Sequence, residues 1–225
     1  MKEAGKIAWT TLDELVKSFG CGLTDAIKNS NIISKMMEVQ KHNRNNLCEM
    51  SRTLKIEDLQ VLKKLGEGQF GNVFLVSDKS KEHCYALKSV SKDETIKTKL
   101  EKHLINEKQA LSLISSPFVM EFIRSYKDDH YIYFLTEFIN GIELFDAIRM
   151  IGLLTPKQTI FYAAQLLHII ESMHDKSLIY RDLKPENVMV CADGYLKLID
   201  LGTCKKLKGT EKTFTMIGTP SYMAP

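Results

Sequence analysis

Hydrophobic positions repeat at two different periods along the chain, and the change falls near residue 56. Before it, Leu12, Leu15, Val16 and Phe19 recur at helical spacing, as do Leu23, Ile27, Ile32, Ile33, Met36, Met37 and Val39. Thr10-Thr11-Leu12-Asp13-Glu14 offers a capping threonine with an acid three residues on, Gly20 and Gly22 stop the first helix, and the second decays into a polar linker over 40–46. Two short amphipathic helices without a sheet cannot bury a core alone. Residues 1–56 are therefore expected to form a helical extension that docks on the rest of the chain or ends a preceding domain.

After residue 56, short β-branched or aromatic runs at 59–65, 73–77 and 85–90 alternate with turn residues and predict strands. A helix is predicted over 97–114. Strands follow over 118–126 and 131–138, joined at Lys127-Asp128-Asp129. Beyond Gly141, helices are predicted over 143–150 and 156–174, the second with Pro156 at its start. Two strand-like runs, 188–191 and 196–199, flank the turn Ala192-Asp193-Gly194. The order is a small sheet with one helix inserted, then a helical region: an α+β arrangement.

Composition narrows the class. The chain has 225 residues, of which 44% are hydrophobic and 26% charged, which is globular rather than disordered or repetitive. The net charge of +3 predicts neither nucleic-acid nor membrane binding, and it is local: residues 1–56 hold nine basic against six acidic residues, and the rest carry 22 of each. Five scattered cysteines without a C-x-x-C read as free thiols in a reducing compartment. No signal-peptide core and no membrane-length apolar run occurs, so a cytoplasmic setting is expected.

Four clusters carry chemistry. Gly66-Glu67-Gly68-Gln69-Phe70-Gly71-Asn72-Val73 is G-x-G-x-x-G-x-V, where missing Cβ atoms let backbone approach phosphates. Strand-like sequence follows the glycines, which favours a hairpin flap over the strand-to-helix turn of a dinucleotide fold. Lys88 ends Tyr85-Ala86-Leu87-Lys88, and Glu107 lies 19 residues on. Singly they read as a snorkelling lysine and a surface glutamate; together they can pair and aim an ammonium at a triphosphate. Tyr180-Arg181-Asp182-Leu183-Lys184-Pro185-Glu186-Asn187 places a proton acceptor, a cation and a metal-ligating amide within eight residues. Asp200-Leu201-Gly202 supplies a second metal-binding acid.

With these motifs in order, the chain from about Leu59 to Pro225 resembles the eukaryotic protein kinases. The intervals are 22 residues from Gly66 to Lys88, 19 to Glu107, 75 to Asp182 and 18 to Asp200. Tyr180 before Arg181-Asp182, Asn106-Glu107-Lys108 and the run Gly218-Thr219-Pro220 narrow the likeness to Ser/Thr kinases of the cyclic-nucleotide-dependent and phospholipid-dependent group. The resemblance implies a two-lobed fold, with an N-lobe over 57–137 and a partial C-lobe over 138–225, that uses ATP and Mg²⁺. It implies that Asp182 and Lys184 are catalytic and that Asn187 and Asp200 hold the metal. It places Gly66, Gly68, Gly71, Val73 and Ala86 around the phosphates and base, with Lys88 fixed by Glu107. Thr136, Glu137 and Ile139 fall at the hinge, and Glu143 and Met189 below the nucleotide. Thr136, a small residue, falls at the position guarding a back pocket. The same likeness implies protein substrates with Arg or Lys two to three residues before the acceptor, read by Glu143 and Glu186. It also makes Thr215 the activating phosphosite, facing Arg181, Lys205 and His103. Thr213 competes for that role, and Thr219 is expected to contact Asp182 instead.

Two departures stand out. Leu201 replaces the usual Phe and is expected to fill the same slot between Tyr180 and Leu111. The chain stops one residue short of the glutamate completing A-P-E, which implies a fragment or truncated product lacking the C-lobe helices that support activity. The segment 9–37 resembles the terminal helices of a cyclic-nucleotide-binding domain, as in cGMP-dependent kinases, so a cyclic nucleotide bound upstream is expected. A non-catalytic pseudokinase acting by binding, a truncated inactive fragment and a kinase of the same group without cyclic-nucleotide control stay open as alternatives.

Overall fold

A computed structural model describes residues 54–68, 71–79, 83–208, 213 and 216–223. The two helices expected before residue 40, and Thr215, lie outside the described residues. Five strands form one antiparallel sheet: β1 (Gln60–Gly68), β2 (Gly71–Ser77), β3 (Cys84–Ser91), β4 (Phe122–Lys127) and β5 (Tyr131–Glu137), in the order β1-β2-β3-β5-β4. β3 is central, and alternation buries Tyr85 and Leu87 on it. They join Val76 and Leu135 in one cluster, while Val90, Leu104 and Phe134 form a second.

The single helix predicted over 97–114 is two helices, α1 (Lys92–Thr98) and α2 (Glu101–Leu113). Ser91 caps α1 by accepting from the Glu94 N–H, and Asp93 and Glu94 sit in its first turn. Lys99 then turns left-handed (φ 56°) and ends it. On α2, Leu104, Glu107, Ala110 and Leu111 are buried, one helical face laid against the sheet. β4 begins four residues later than expected, because Phe118 and Val119 run instead beside a C-terminal strand.

Two further helices follow, α3 (Leu144–Ile151) and α4 (Pro156–His174). The α4 start is a capping box between Thr155 and Gln158, with Pro156 in the first turn. Two small sheets lie beside them: β6 (Gly141–Glu143), β8 (Val188–Cys191) and β9 (Leu196–Leu198) in the order β6-β8-β9, and β7 (Leu178–Ile179) paired with β10 (Lys205–Lys206). The sequence reading missed β6, β7 and β10. Gln165 on α4 ties helix to sheet, its Oε1 accepting the Leu196 N–H at 2.8 Å. The larger core joins both regions, from Leu111 and Phe118 to Ile169, Met173, Leu178, Tyr180, Leu198 and Leu201. Cys84, Cys191 and Cys204 carry free thiols. Among the described residues, no helix is long and apolar enough to cross a membrane.

Candidate active site

β3 carries Lys88 to the middle of the sheet, between β2 and β5, rather than to an edge. Its Nζ donates to Glu107 Oε1 on α2 at 2.5 Å. Glu107 is 4% exposed. Burial pushes its carboxyl above the usual carboxylate range; the charge and hydrogen bond of Lys88 pull it back, and the Asp200 charge adds to the upward push. Glu107 therefore feels the charge of the Asp200-Leu201-Gly202 motif as well as that of its partner Lys88.

The glycines of the first motif differ in what they do. Gly66 lies opposite Val73 across the β1–β2 pair, and a Cβ there would meet open space. Gly71 has φ +137°, and a Cβ there would lie 2.0 Å from the Ser89 carbonyl oxygen of β3. The sheet itself requires that glycine, whereas the open side of Gly66 has room for a ligand. Gly68 ends β1. Ala86 stands opposite Thr136 in the β3–β5 register, and the buried Thr136 hydroxyl donates to Ala86 O at 3.4 Å.

The 180–187 loop holds its groups tightly. Arg181 adopts φ +73°, and its Nε donates to Thr203 O at 2.8 Å. The Thr203 hydroxyl donates to Tyr180 O at 2.9 Å. These bonds and the β7–β10 pairing lay the strand after Asp200 alongside the start of the loop. Asp182 is the hub. Its Oδ1 accepts from the Thr219 hydroxyl at 2.6 Å, and its Oδ2 from Lys184 Nζ and Asn187 Nδ2, both at 3.0 Å. Lys184 also donates to Thr219 Oγ1 at 2.9 Å. Burial alone would raise the Asp182 carboxyl, but the bonds from Thr219, Lys184 and Asn187 and the Lys184 charge outweigh it and hold the carboxyl below its usual range. A cleft of about 390 Å³ opens beside this hub, lined by Arg181, Asp182, Leu183, Thr219 and Tyr222 among others.

Asn187 sends Nδ2 to both the Asp182 carboxylate and its carbonyl oxygen, so its oxygen end faces away from Asp182. Asp200 Oδ1 accepts the Gly202 N–H at 2.8 Å. An amide oxygen and a carboxylate are hard donors suited to Mg²⁺, which takes one or two protein oxygens and completes its shell with phosphate and water. Leu201 is fully buried and shares the large core with Tyr180 and Leu111, the slot expected for it. Burying a Leu contributes on the order of 1.5–3 kcal/mol.

On the three-stranded sheet, Glu143, Met189 and Lys197 stand opposite one another. Burial pushes the Glu143 carboxyl up, with the charges of Asp146 and Glu186 adding to it. One oxygen of Glu186, Oε2, is buried without a hydrogen-bond partner. Ile139 follows β5 half-buried. Glu137, the last residue of β5, pairs with Lys197, which sequence reasoning missed. The signal lay in the run Leu196-Lys197-Leu198-Ile199: a lysine flanked by apolar residues on both sides of a strand needs a buried anion.

Comparison with known proteins agrees with this geometry. The protein kinase domain model matches residues 59–225. A cGMP-dependent protein kinase of Toxoplasma gondii is 42% identical over 172 residues, covering 76% of this chain and 17% of that protein. The cAMP-dependent protein kinase catalytic subunit PRKX of Homo sapiens is 40% identical over 170 residues, covering 76% of the chain and 47% of its own length. The cGMP-dependent protein kinase 2 of Rattus norvegicus is 38% identical over 179 residues, covering 80% and 24%. The chain thus spans between about a sixth and a half of these relatives. A family match across most of the chain, laid on a sheet and helix that pair Lys88 with Glu107 and a loop that gathers Lys184, Asn187 and Thr219 on Asp182, means that the chain belongs to the protein kinase domain family, among relatives of its cyclic-nucleotide-dependent group.

Proposed function

We propose that this chain is the catalytic region of a Ser/Thr protein kinase that moves the ATP γ-phosphoryl group to a protein hydroxyl. The observation that carries the reading is the state of Asp182. Three donors converge on its carboxylate and keep it ionised, while Lys184 stands 3.0 Å away. An ionised carboxylate beside a cation can accept a substrate hydroxyl proton while the cation neutralises charge on the moving phosphoryl group.

The remaining residues bind and orient. Lys88, held by Glu107, meets the α- and β-phosphates under the flap of Gly66, Gly68, Gly71 and Val73. Ala86, Ile139 and Met189 sandwich the base, and the backbone at Glu137 meets its edge. Thr136 leaves space behind the base. Asn187 and Asp200 would hold Mg²⁺, which supplies charge neutralisation on the phosphates when bound. Most of the catalysis is positioning and electrostatics rather than covalent chemistry. Replacing Asp182 by Asn in the full-length protein should abolish phosphoryl transfer while nucleotide affinity stays near wild type. Retained transfer would overturn the assignment.

Substrates in this reading carry Arg or Lys two to three residues before the acceptor. An unpartnered buried oxygen on Glu186 and the mutual repulsion of Glu143 and Glu186 both favour a cation arriving between them. Peptides with Ala at those positions should be poor substrates, and Glu186→Gln should narrow the difference. Activation proceeds by phosphorylation of Thr215, whose phosphate needs basic partners. Arg181 is tied to Thr203, Lys205 lies on β10, and β10 packs against α2, which carries His103 and Glu107. Regulation by cGMP through an upstream domain, in the cytoplasm, completes the proposal. Its support is the likeness of residues 9–37 to such a domain's terminal helices and the names of the relatives.

A further inference from the structure

Lys197 occupies the middle of β9, a strand whose three residues are all buried, and is itself 8% exposed. A buried ammonium persists where an anion meets it. Here the anion is Glu137, whose Oε1 accepts from Lys197 Nζ and also from the Glu121 N–H at 2.8 Å. The Glu137 N–H donates in return to Glu121 O at 3.0 Å.

Two chain segments pass between the five-stranded sheet and the C-terminal half at this point. One is the lead-in to β4, where Met120 N–H donates to Leu198 O and Leu198 N–H donates to Phe118 O. The other is the exit from β5 at Glu137. The Glu137 carboxylate joins the second segment to the first through Glu121 and to β9 through Lys197. Cross-strand partners of an antiparallel pair share a face. The register Glu143–Met189–Lys197 therefore puts Lys197 on the face that carries the two residues assigned to the space below the nucleotide.

We infer that Lys197 is a positioning residue for the adenosine end of the nucleotide. Through its pair with Glu137 it fixes the backbone of 137–139 against the β6-β8-β9 sheet, so that the base meets N–H and C=O groups already in place. Ordering a binding edge before the ligand arrives removes an entropy cost from binding. The inference rests on the proposed nucleotide site, and its effect falls on the base rather than on the phosphates, which Lys88 handles.

That division gives the test. Calorimetric binding of adenosine and of a non-hydrolysable ATP analogue with Mg²⁺ is measured on the 225-residue chain and on Lys197→Met, Lys197→Arg, Glu137→Gln and Lys88→Met. Lys197→Met and Glu137→Gln should weaken both ligands by the same factor, roughly five- to tenfold, the scale of one lost positioning contact. Lys197→Arg, which keeps the charge, should recover most of the loss. Lys88→Met should weaken the triphosphate analogue by a much larger factor than it weakens adenosine. Adenosine affinity unaltered in Lys197→Met overturns the inference; should that variant not fold, unaltered affinity in Glu137→Gln does the same. A loss that Lys197→Arg shares in full overturns it as well, because packing rather than charge would then be responsible. Wild-type chain that binds neither ligand would refute the nucleotide site itself, and the positioning role with it.

Discussion

The Lys88 ammonium and the Glu107 carboxylate meet at 2.5 Å, tying the central strand of the five-stranded sheet to the helix beside it. The pair is nearly dry on the acid's side, with side-chain exposures of 21% for Lys88 and 5% for Glu107. Removing either partner therefore has consequences that depend on pH.

Burial raises the Glu107 carboxyl and Lys88 opposes that rise. In Lys88→Met the carboxyl should climb further, so the native state binds its proton more tightly than the unfolded chain does. Stability associated with that proton is present at low pH and lost as pH rises from about 4.3 through the folded value. Urea unfolding from pH 5 to 8 should show Lys88→Met falling away from wild type by up to about 3 kcal/mol, the low end of what breaking a buried pair costs. Adding Glu107→Gln should flatten the slope. Parallel curves for Lys88→Met and wild type would contradict the assignment.

Gly71 and Gly66 should separate stability from binding. An alanine at 71 must take φ +137° and place its Cβ 2.0 Å from the Ser89 oxygen. Gly71→Ala is expected to destabilise by about 3 kcal/mol or more, as strain and overpacking combine. Gly66→Ala meets nothing within 4 Å and should leave the melting temperature within a degree or two while weakening nucleotide binding. Equal melting temperatures for the two variants would refute this contrast.

Thr219 holds the Asp182 carboxylate through a 2.6 Å bond. In the wild type, Asp182 contributes stability that is fully present above about pH 4 and is lost as pH falls through its lowered folded value. Thr219→Val removes one of the bonds that keep the carboxyl low and leaves Lys184 without its second acceptor. The Asp182 carboxyl should then titrate at higher pH by NMR, with acid destabilisation beginning earlier. At neutral pH the variant should lose about 1–2 kcal/mol. An unmoved titration would exclude the role given to Thr219.

Thr213 competes with Thr215 for the role of phosphosite. The Thr213 hydroxyl is buried without a hydrogen-bond partner. Thr213→Val should be neutral or slightly stabilising, because an unsatisfied hydroxyl gives way to a methyl. Mass spectrometry of active full-length protein should find phosphate on Thr215, and Thr215→Ala should lower the maximal rate far more than Thr213→Ala. Phosphate found on Thr213 alone would reverse the assignment.

Local chemistry made some elements readable from the chain. The helix 156–174 matches its sequence reading residue for residue, because Thr155, Pro156 and Gln158 specify its start and apolar spacing carries it to His174. The strand 188–191 matches likewise. Leu201 was legible as a core residue because its neighbours, Tyr180 and Leu111, are apolar at positions that the motifs fix. The break at Lys99 was not legible. Lysine is a good helix former, and its left-handed backbone there carries no residue signature of the kind glycine gives.

The sequence alone singled out the residues proposed to carry chemistry: the spacing of Gly66, Lys88, Glu107, Asp182 and Asp200 marks them without any contact being known. Tertiary structure decided their partners. Thr219 reaches Asp182 across 37 residues, Glu137 reaches Lys197 across 60, and the two- and three-residue strands β6, β7 and β10 exist only because another strand lies beside them. Periodicity reports the face a residue presents to its own element, over one or two turns or pleats. Which distant group stands opposite that face is set by chain crossings and sheet register, and these follow from burying the whole core at once.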